Sequence, residues 1–451
     1  MLFFIFLSFI YKFPGIITAG KTKRKILMKL SPHILAVSLA LSVATSACAN
    51  VTTFAPPEYL AWLDDLKKEM VDRGISQKTI DTVYAQDFYH PDPEVVKIDR
   101  KQVEFALTST DYLNRVVNKT RVEQARKRYR EVLPLLEPIS KKYGVPANYI
   151  VAFWAVETNL GSNFGGYNTI DALTTLSYDK RRPAFFRNEL YQALKIIDTW
   201  NIDFTRMQGS WAGAMGHFQF MPSTFNAYAV DADGDKQIDI WHSFEDAAAS
   251  AANYLSSIGW QKNQTWGLPV SLPWNFNFAD TGRNNYKSVG EWKKIGVKTL
   301  NRRKLPYNDN LKAAVIIPEG SKGNAYLVFE NFKVIMKWNR SENYALAIGT
   351  LADYIADGKA WKLAKENPAV RLKTDDIIKV QSFINRLGLF KLDEDGQLGS
   401  KTREAVKKIQ KEALLPQDGY PDYKLLRKIN DYNPEIGFAV PVPDRKLHNK
   451  N

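Results

Sequence analysis

The sequence predicts a mostly α-helical protein with a small β-containing insertion and a separate helical unit near its C-terminal end. Three observations indicate this fold class. Apolar residues recur with the period of an amphipathic helix over residues 54–142 and 146–200. β-Branched and aromatic residues, interrupted by proline and glycine, dominate residues 258–337. A polar stretch containing Pro368 then precedes the compact residues 374–430.

These patterns divide the chain into a main domain (residues 54–360), a linker (361–373), a C-terminal domain (374–430) and a tail (431–451). Within the main domain, WGLPVSLPWNFNF, AAVIIP and AYLVFENFKVIMKW are predicted to supply short strands. The helical pattern returns with SENYALAIGTLADYIADG. A chain of 451 residues with 45% hydrophobic content can bury the cores of two or three domains.

The charge of the chain limits the classes of partner. The formal net charge is +14, but six of the 62 basic residues lie in the first 49 positions, which contain no acid. The remainder holds 56 basic against 48 acidic residues, a net charge of +8. This excess suits a polyanionic partner such as nucleic acid, anionic lipid or an acidic cell-wall polymer. No basic cluster has interleaved aromatic residues, so nucleic acid is not favoured.

The N-terminal segment is typical of an exported protein. Residues 28–49 begin with a methionine and a lysine, continue with an apolar stretch and end in Ala47-Cys48-Ala49, which fits a signal-peptide cleavage site. Residues 1–27 are interpreted as an over-long start. The alternative is a lipid anchor through Cys48, which we disfavour because Thr45 fits that signal poorly. No later stretch reaches the apolar length of a membrane span.

One carboxyl group stands out because of its surroundings. The stretch YIVAFWAVETNLGSNFG (residues 149–165) predicts a buried helix that starts near Pro146 and ends by Gly161. Glu157 falls in its last turn, where the helix dipole and burial both disfavour a negative charge. Its pKa should therefore be raised, as a general acid requires. The alternative is a structural glutamate satisfied by a buried arginine or by backbone donors.

A second segment, GSWAGAMGHFQFMPSTF (residues 209–225), combines small residues with flat aromatic faces and neutral polar groups. Small residues let the backbone approach a ligand closely. Ser210 and Gln219 supply hydrogen-bonding groups, and Phe220 is one of four aromatic residues in the segment. This combination suits a sugar ring. The alternative is a tightly packed glycine- and alanine-rich helix contact. His217 has no partner at metal-ligand spacing and is interpreted as structural.

Four motifs carry a resemblance to a known family. AVETNLGSNFG, GSWAGAMGHFQFMPS, DADGDKQIDIW and SENYALAIG, in this order, closely resemble the membrane-bound lytic murein transglycosylase B family. The resemblance implies a lysozyme-like helical catalytic core with Glu157 as the sole catalytic acid and base. It also implies that the following residues contact the substrate: Ser210, Gln219, Phe220, Tyr112, Asn339 and Tyr344.

The resemblance further implies the reaction. Such enzymes cleave the β-1,4 bond between N-acetylmuramic acid and N-acetylglucosamine in peptidoglycan glycan strands and form 1,6-anhydromuramic ends. Ordinary glycosidases need two carboxyl groups, whereas here the substrate would supply the nucleophile, so one suffices. We expect no cofactor, a monomer and a periplasmic location. The alternatives are a hydrolytic muramidase, with Asp171 as the nearest second carboxylate in sequence, and a non-enzymatic wall-binding scaffold.

The acidic loop DADGDKQIDIWH (residues 231–242) has the aspartate spacing of a calcium loop. Two residues depart from that pattern, because Lys236 replaces the glycine and His242 replaces the closing carboxylate. Glu245 and Asp246 are not at the spacing needed to replace it. We therefore favour an aspartate-rich turn held by side-chain-to-backbone hydrogen bonds, and we expect no metal.

The C-terminal unit shows two apolar helical stripes: Ile378, Phe383, Ile384 and Leu387, then Ala405, Val406 and Ile409. Tight turns are predicted at Asp395-Gly396 and Asp418-Gly419. These features resemble the small three-helix peptidoglycan-binding domain of many wall enzymes. The alternative is a helical hairpin appended for stability. Binding to the wall would raise the local concentration of the enzyme on an insoluble polymer.

Overall fold

The computed structural model describes residues 55–85, 91–100, 107–357, 372–435 and 437–438. Within these residues the chain is mostly helical with small sheets, which confirms the predicted fold class. The predicted signal peptide and start segment, and nearly all of the predicted linker, lie outside the described residues. No helix in the described residues combines the length and the apolar character that a membrane span requires.

The described part of the chain forms ten helices before the main sheet. They are α1 (Pro57–Asp72), α2 (Gln77–Val83), α3 (Pro93–Arg100), α4 (Ser109–Val116), α5 (Lys119–Tyr143), α6 (Ala147–Thr158), α7 (Thr169–Tyr178), α8 (Pro183–Trp200), α9 (Pro222–Tyr228) and α10 (Phe244–Ser257). A two-stranded antiparallel sheet, β1 (Tyr167–Asn168) with β2 (Gln208–Gly209), ties the start of α7 to the segment before α9.

Helix α6 lies at the centre of the main core. Its side chains are buried on every face from Tyr149 to Thr158, as the absence of a polar stripe in the sequence predicts. It packs against α5, α10 and the later helix α13 (Glu342–Asp357). Because α6 is enclosed by other helices, a polar group at its end is held away from water.

The insertion is a five-stranded sheet with its own apolar core. Its strands are β3 (Gly267–Ser271), β4 (Tyr286–Ser288), β5 (Lys298–Thr299), β6 (Lys312–Ile316) and β7 (Ala325–Val328), in the order β4-β6-β7-β3-β5, and all neighbours are antiparallel. Helix α11 (Val289–Ile295) covers this sheet, and its Trp292 is fully buried among the strand residues.

The assignment of AYLVFENFKVIMKW to a strand was wrong for its second half. Strand β7 ends at Val328, and helix α12 (Glu330–Trp338) follows. Phe332, Ile335 and Trp338 are all buried. Their spacing of three places them on one face of a helix, so the helical period prevails over the β-branched and aromatic composition.

The C-terminal unit contains helices α14 (Thr374–Arg386), α15 (Ser400–Glu412) and α16 (Tyr423–Asn430). Its buried α14 face includes Ile377 and Val380, whereas Ile378, which we had placed in the stripe, is only half-buried. A helical face repeats at three and four residues, so 377, 380, 381 and 384 form the continuous set.

A glutamine holds each aspartate-glycine turn of this unit. Gln381 donates to Asp395 at 2.9 Å and accepts from the Gly396 N–H at 2.9 Å. Gln410 makes the same pair of contacts with Asp418 (2.6 Å) and Gly419 (2.8 Å). Both glycines have positive φ angles, 69° and 72°, which favour glycine. The two turns are therefore built in the same way.

The second turn also contacts the insertion. Asp418 Oδ2 accepts from the Ser321 N–H at 2.8 Å, and Arg403 donates to the Pro318 carbonyl at 2.8 Å. Lys407 donates to the backbone and side-chain oxygens of Thr281. The C-terminal unit is thus hydrogen-bonded to the main domain through side chains of α15 and its following turn.

Candidate active site

The end of α6 places Glu157 at the boundary of the core. Pro146 is the N-cap residue and the helix ends at Thr158. Asn159 and Leu160 then adopt left-handed conformations, and Gly161 follows at φ 80°. A Cβ atom on Gly161 would lie 2.6 Å from the His217 ring, so only glycine fits this turn. Glu157 lies in the last helical turn, as predicted, with 7% of its surface exposed.

Two donors converge on a single oxygen of Glu157. Trp338 Nε1 donates to Oε1 at 3.0 Å, and the Tyr344 hydroxyl donates to the same atom through a short hydrogen bond. Oε2 receives no hydrogen bond from the described residues. In the neutral acid Oε1 therefore has the role of the carbonyl oxygen, and the proton resides on Oε2.

The ionisation of Glu157 follows from this environment. Burial raises its pKa to about 7, and the hydrogen bonds from Tyr344 and Trp338 partly oppose the rise. Among the described residues, no other carboxylate contributes to the shift. Asp171, the alternative second carboxylate, is exposed in the first turn of α7. The raised pKa agrees with the direction predicted from the sequence.

Tyr112 lies close to the same carboxyl group. Burial raises the pKa of its hydroxyl, and the charge of Glu157 contributes to the rise. Helix α4, which carries Tyr112, is held by Glu319, whose two oxygens accept from the Thr110 N–H (2.6 Å) and hydroxyl (3.0 Å). The Ser109 hydroxyl also bonds the Asn343 side chain of α13 at 2.5 Å. The structure thus brings Tyr112 and Tyr344, from opposite ends of the domain sequence, to Glu157.

The glycine-rich segment forms a compact turn rather than a helix. The Ser210 Oγ accepts from the N–H groups of Ala212 (3.3 Å) and Ala214 (3.1 Å). Because both contacts use its oxygen, the hydroxyl retains its proton for donation to another group. Gln219 has a positive φ of 51° and donates to the Phe164 carbonyl at 3.0 Å.

Two buried amide oxygens in this region lack a partner among the described residues, Gln219 Oε1 and Asn339 Oδ1. Asn339 directly follows Trp338, and Gln219 directly precedes Phe220. A buried acceptor without a donor is costly unless a ligand or water satisfies it. Both oxygens belong to residues that the sequence resemblance assigned to the substrate.

The ring of Phe220 supports Trp338. It is buried and packs against the indole of Trp338 with a centroid separation of 5.5 Å and against Tyr254 at 5.8 Å. Trp338 itself was absent from the sequence-based site, because its segment was assigned to a strand. The helical spacing of the apolar residues in α12 would have placed it next to Asn339 at the helix end.

His217 has the structural role predicted for it. Its Nδ1 accepts from the Trp154 indole at 2.9 Å, and its carbonyl accepts from the Thr158 hydroxyl at 2.8 Å. Burial lowers the pKa of the imidazole to about 4, so it is neutral at pH 7. These contacts fasten the glycine-rich segment to the last turns of α6.

The acidic loop is an aspartate-rich turn. Asp231 accepts from the N–H groups of Gly234 (2.7 Å) and Lys236 (2.9 Å), and Lys236 has a left-handed φ of 70°. The fold also brings Asp246, which lies outside the calcium-loop spacing of residues 231–242, close to the aspartates of the loop. Oxygens of Asp231, Asp233 and Asp246 lie within 4.8 Å of one another, and Asp246 is buried.

Comparison with known proteins places these features in a family. Residues 58–353 match the family model of the transglycosylase SLT domain. The chain belongs to this family. Residues 373–429 match a second model, described as a peptidoglycan binding domain.

Three relatives illustrate the similarity. The chain is 34% identical over 216 residues to membrane-bound lytic murein transglycosylase B of Escherichia coli, covering 48% of this chain and 58% of that protein. SltB3 of Pseudomonas aeruginosa, solved with NAG-anhNAM-pentapeptide, is 38% identical with a TM-score of 0.78, covering 82% of this chain and 99% of SltB3. Slt35 of Escherichia coli, solved with calcium, is 26% identical with a TM-score of 0.56, covering 65% and 92% of the two chains.

Proposed function

We propose that the protein is a peptidoglycan lytic transglycosylase that cleaves the bond between N-acetylmuramic acid and N-acetylglucosamine and leaves 1,6-anhydromuramic ends. The observation that carries the proposal is the arrangement at Glu157. One buried carboxyl has a pKa near 7 and both donors on Oε1, so Oε2 can release and recover a proton. The complex of the relative SltB3 with NAG-anhNAM-pentapeptide supports the same product class.

In the first step Glu157 acts as the acid. Oε2 gives its proton to the glycosidic oxygen, the bond from that oxygen to C1 of the muramic residue breaks, and the N-acetylglucosamine chain leaves. The acetamido group of the muramic residue stabilises the electron-deficient C1. The new carboxylate of Glu157 is stabilised by the hydrogen bonds from Trp338 and Tyr344, which favour the charged form.

In the second step Glu157 acts as the base. Its carboxylate takes the proton of the muramic O6 hydroxyl while O6 bonds to C1, which closes the 1,6-anhydro ring. Glu157 is thereby returned to its neutral form. No water is consumed, so a second carboxylate to activate water is unnecessary.

Neutral groups around Glu157 are suited to orient the substrate. The Ser210 hydroxyl, whose oxygen already accepts two backbone N–H groups, would donate to the acetamido carbonyl. The unpaired amide oxygens of Gln219 and Asn339 would accept from sugar hydroxyl or acetamido N–H groups. Tyr112 would contact the sugar beside Glu157, and Phe220 would act through the packing of Trp338.

We also propose that the protein is located in the periplasm. Residues 28–49 would direct export to the periplasm, with cleavage after Ala49 preferred to a lipid anchor at Cys48. The C-terminal domain would hold the monomeric enzyme on glycan strands. The mass of the N-terminal peptide of the purified protein, with or without an acyl group, distinguishes the two N-termini.

The experiment that tests the function is digestion of purified sacculi followed by mass spectrometry of the released fragments. Wild type is expected to release anhydro-muropeptides, and Glu157→Gln is expected to release none. Asp171→Asn is the matched control, because it removes the exposed carboxyl of the hydrolytic alternative, and it should behave as wild type. Reducing-end products from wild type would refute the proposal in favour of hydrolysis, and retained sacculus binding without any products would favour a scaffold.

A further inference from the structure

A tryptophan protrudes from the insertion. The side chain of Trp274 is 96% exposed, in the loop that follows β3. The loop is a tight turn, since the Phe276 N–H donates to the Pro273 carbonyl at 3.1 Å. The Phe276 ring is buried and stacks near Trp292 with a centroid separation of 6.3 Å. The buried Phe276 ring therefore anchors the turn, and the Trp274 indole is presented to solvent.

Five exposed cations lie on the neighbouring edge of the sheet: Lys294, Lys298, Arg302, Arg303 and Lys304. Across the described residues, none of the five forms an ion pair. The nearest acids in sequence have other partners: Glu291 accepts from the Ser288 N–H at 2.6 Å and Asp309 pairs with Lys293 at 2.7 Å. The cations thus form a patch whose charge is not neutralised by the protein.

The fold places the tryptophan beside these cations. Ser271 pairs with Lys298 across β3 and β5, and β5 is an edge strand. A Cβ atom on Gly296, midway between Lys294 and Lys298, would lie 3.4 Å from Pro273. The loop after β5 is closed by a 3.0 Å hydrogen bond from the Thr299 N–H to the Arg303 carbonyl. We call Trp274 and the five cations the edge patch.

We propose that the edge patch binds the protein to the surface of an anionic phospholipid membrane. The indole of Trp274 would enter the headgroup layer, where tryptophan is favoured, and the five cations would lie over the lipid phosphates. The five cations favour an anionic surface over a neutral sugar as the ligand of the edge patch. This contact does not depend on an acyl chain at Cys48.

Vesicle binding tests the proposal. Every protein carries Cys48→Ser, so that no acyl chain contributes. Wild type is expected to bind vesicles in which about a third of the lipid is phosphatidylglycerol at least about tenfold more strongly than pure phosphatidylcholine vesicles. Changing Lys294, Lys298, Arg303 and Lys304 together to glutamine should remove this preference. The matched control changes three lysines and one arginine exposed on α5, Lys127, Lys141, Lys142 and Arg130, and should bind within about twofold of wild type.

Two further measurements cover a patch variant that fails to fold. Salt should weaken the binding of wild type, and brominated lipids should quench more fluorescence in wild type than in Trp274→Leu. Both effects support the proposal, and the absence of either contradicts it. If the patch and α5 variants lost vesicle binding equally, net charge alone would drive the binding, and the proposal would be overturned. If the patch variant lost binding to sacculi but kept its vesicle binding, the patch would be a site for the wall polymer, and the proposal would be overturned. Turnover of soluble glycan fragments should stay unchanged in both variants.

Discussion

Two buried glutamates show what distinguishes the end of α6 from the rest of the core. Burial raises the pKa of both Glu157 and Glu189, which lies within α8. In Glu189 each oxygen has its own donor, because Ser223 donates its N–H to Oε2 at 2.9 Å and its hydroxyl to Oε1 at 2.8 Å. In Glu157 both donors share Oε1.

The comparison separates burial from function. Both oxygens of Glu189 accept hydrogen bonds from Ser223 at the start of α9. Glu189 therefore connects α8 to α9 and is a structural group. A carboxyl with one satisfied and one unsatisfied oxygen is oriented and still reactive. A raised pKa alone would have placed both residues among the candidates for general acid.

The largest expected effect is on turnover in Glu157→Gln. The amide cannot donate and recover a proton as an acid does, so the rate of glycan cleavage should fall by at least about a thousandfold. Release of anhydro-muropeptides from sacculi over time measures this. Glu189→Gln is the matched control, and its rate should stay within about twofold of that of wild type. An equal loss of rate in both variants would show that the two glutamates do not differ in function.

The stability of Glu157→Gln should depend on pH. The pKa of Glu157 is about 7 in the folded protein, against an ordinary value of 4.5. Below pH 4.5 the group is neutral in both the folded and unfolded states and has no effect. Between pH 4.5 and about 7 the unfolded state loses its proton while the folded state keeps it, so the stability of wild type falls as pH rises, and the loss is complete above about pH 7. Glu157→Gln should therefore match wild type at pH 4 and exceed its free energy of unfolding by up to about 3 kcal/mol at pH 8.

Urea unfolding at the two pH values measures this difference. The same substitution at Glu189 should show no such gain, because the lost hydrogen bond offsets the removed charge. A Glu157→Gln protein that is less stable than wild type at pH 8 would contradict a buried carboxyl with a raised pKa.

Removing one donor from Oε1 should change both the rate and its pH dependence. Tyr344→Phe and Trp338→Phe each delete a hydrogen bond that stabilises the carboxylate. The rate should fall about tenfold or more. The pKa of Glu157 should rise further, so the decline in rate at alkaline pH should move to higher pH. Rates measured on soluble glycan fragments from pH 5 to about pH 9 provide the profile.

Tyr326→Phe is the control for these two variants. The Tyr326 hydroxyl is buried and has no hydrogen-bond partner among the described residues, so its removal should leave the pH profile in place. An unshifted profile in Tyr344→Phe would mean that the hydrogen bond to Oε1 does not set the pKa of Glu157.

The smallest expected effect is the stability change in Glu189→Gln. The amide keeps one acceptor oxygen for Ser223 and loses the other, so the free energy of unfolding at pH 7 should fall by about 1 kcal/mol. Chemical unfolding measures this change. A loss several times larger would show that Glu189 carries more than the two contacts to Ser223.

Much of the architecture could be predicted because helical periodicity is local. The buried helix with Glu157 in its last turn and two helices of the C-terminal unit follow from the spacing of apolar residues, whereas the third helix of that unit was implied by the family resemblance. The strand assigned over α12 shows the limit of this reasoning. Composition suggested a strand, whereas burial of Phe332, Ile335 and Trp338 on one face determined a helix.

The sequence by itself determined that Glu157 is a lone carboxyl at the end of an apolar helix, and burial of that helix is sufficient to raise its pKa. Only the tertiary structure decided which oxygen of Glu157 holds the proton, because Trp338 and Tyr344 reach Oε1 from helices far along the chain. It likewise placed Trp274 beside the cations of the edge patch. Such contacts depend on packing between distant segments, which local periodicity does not encode.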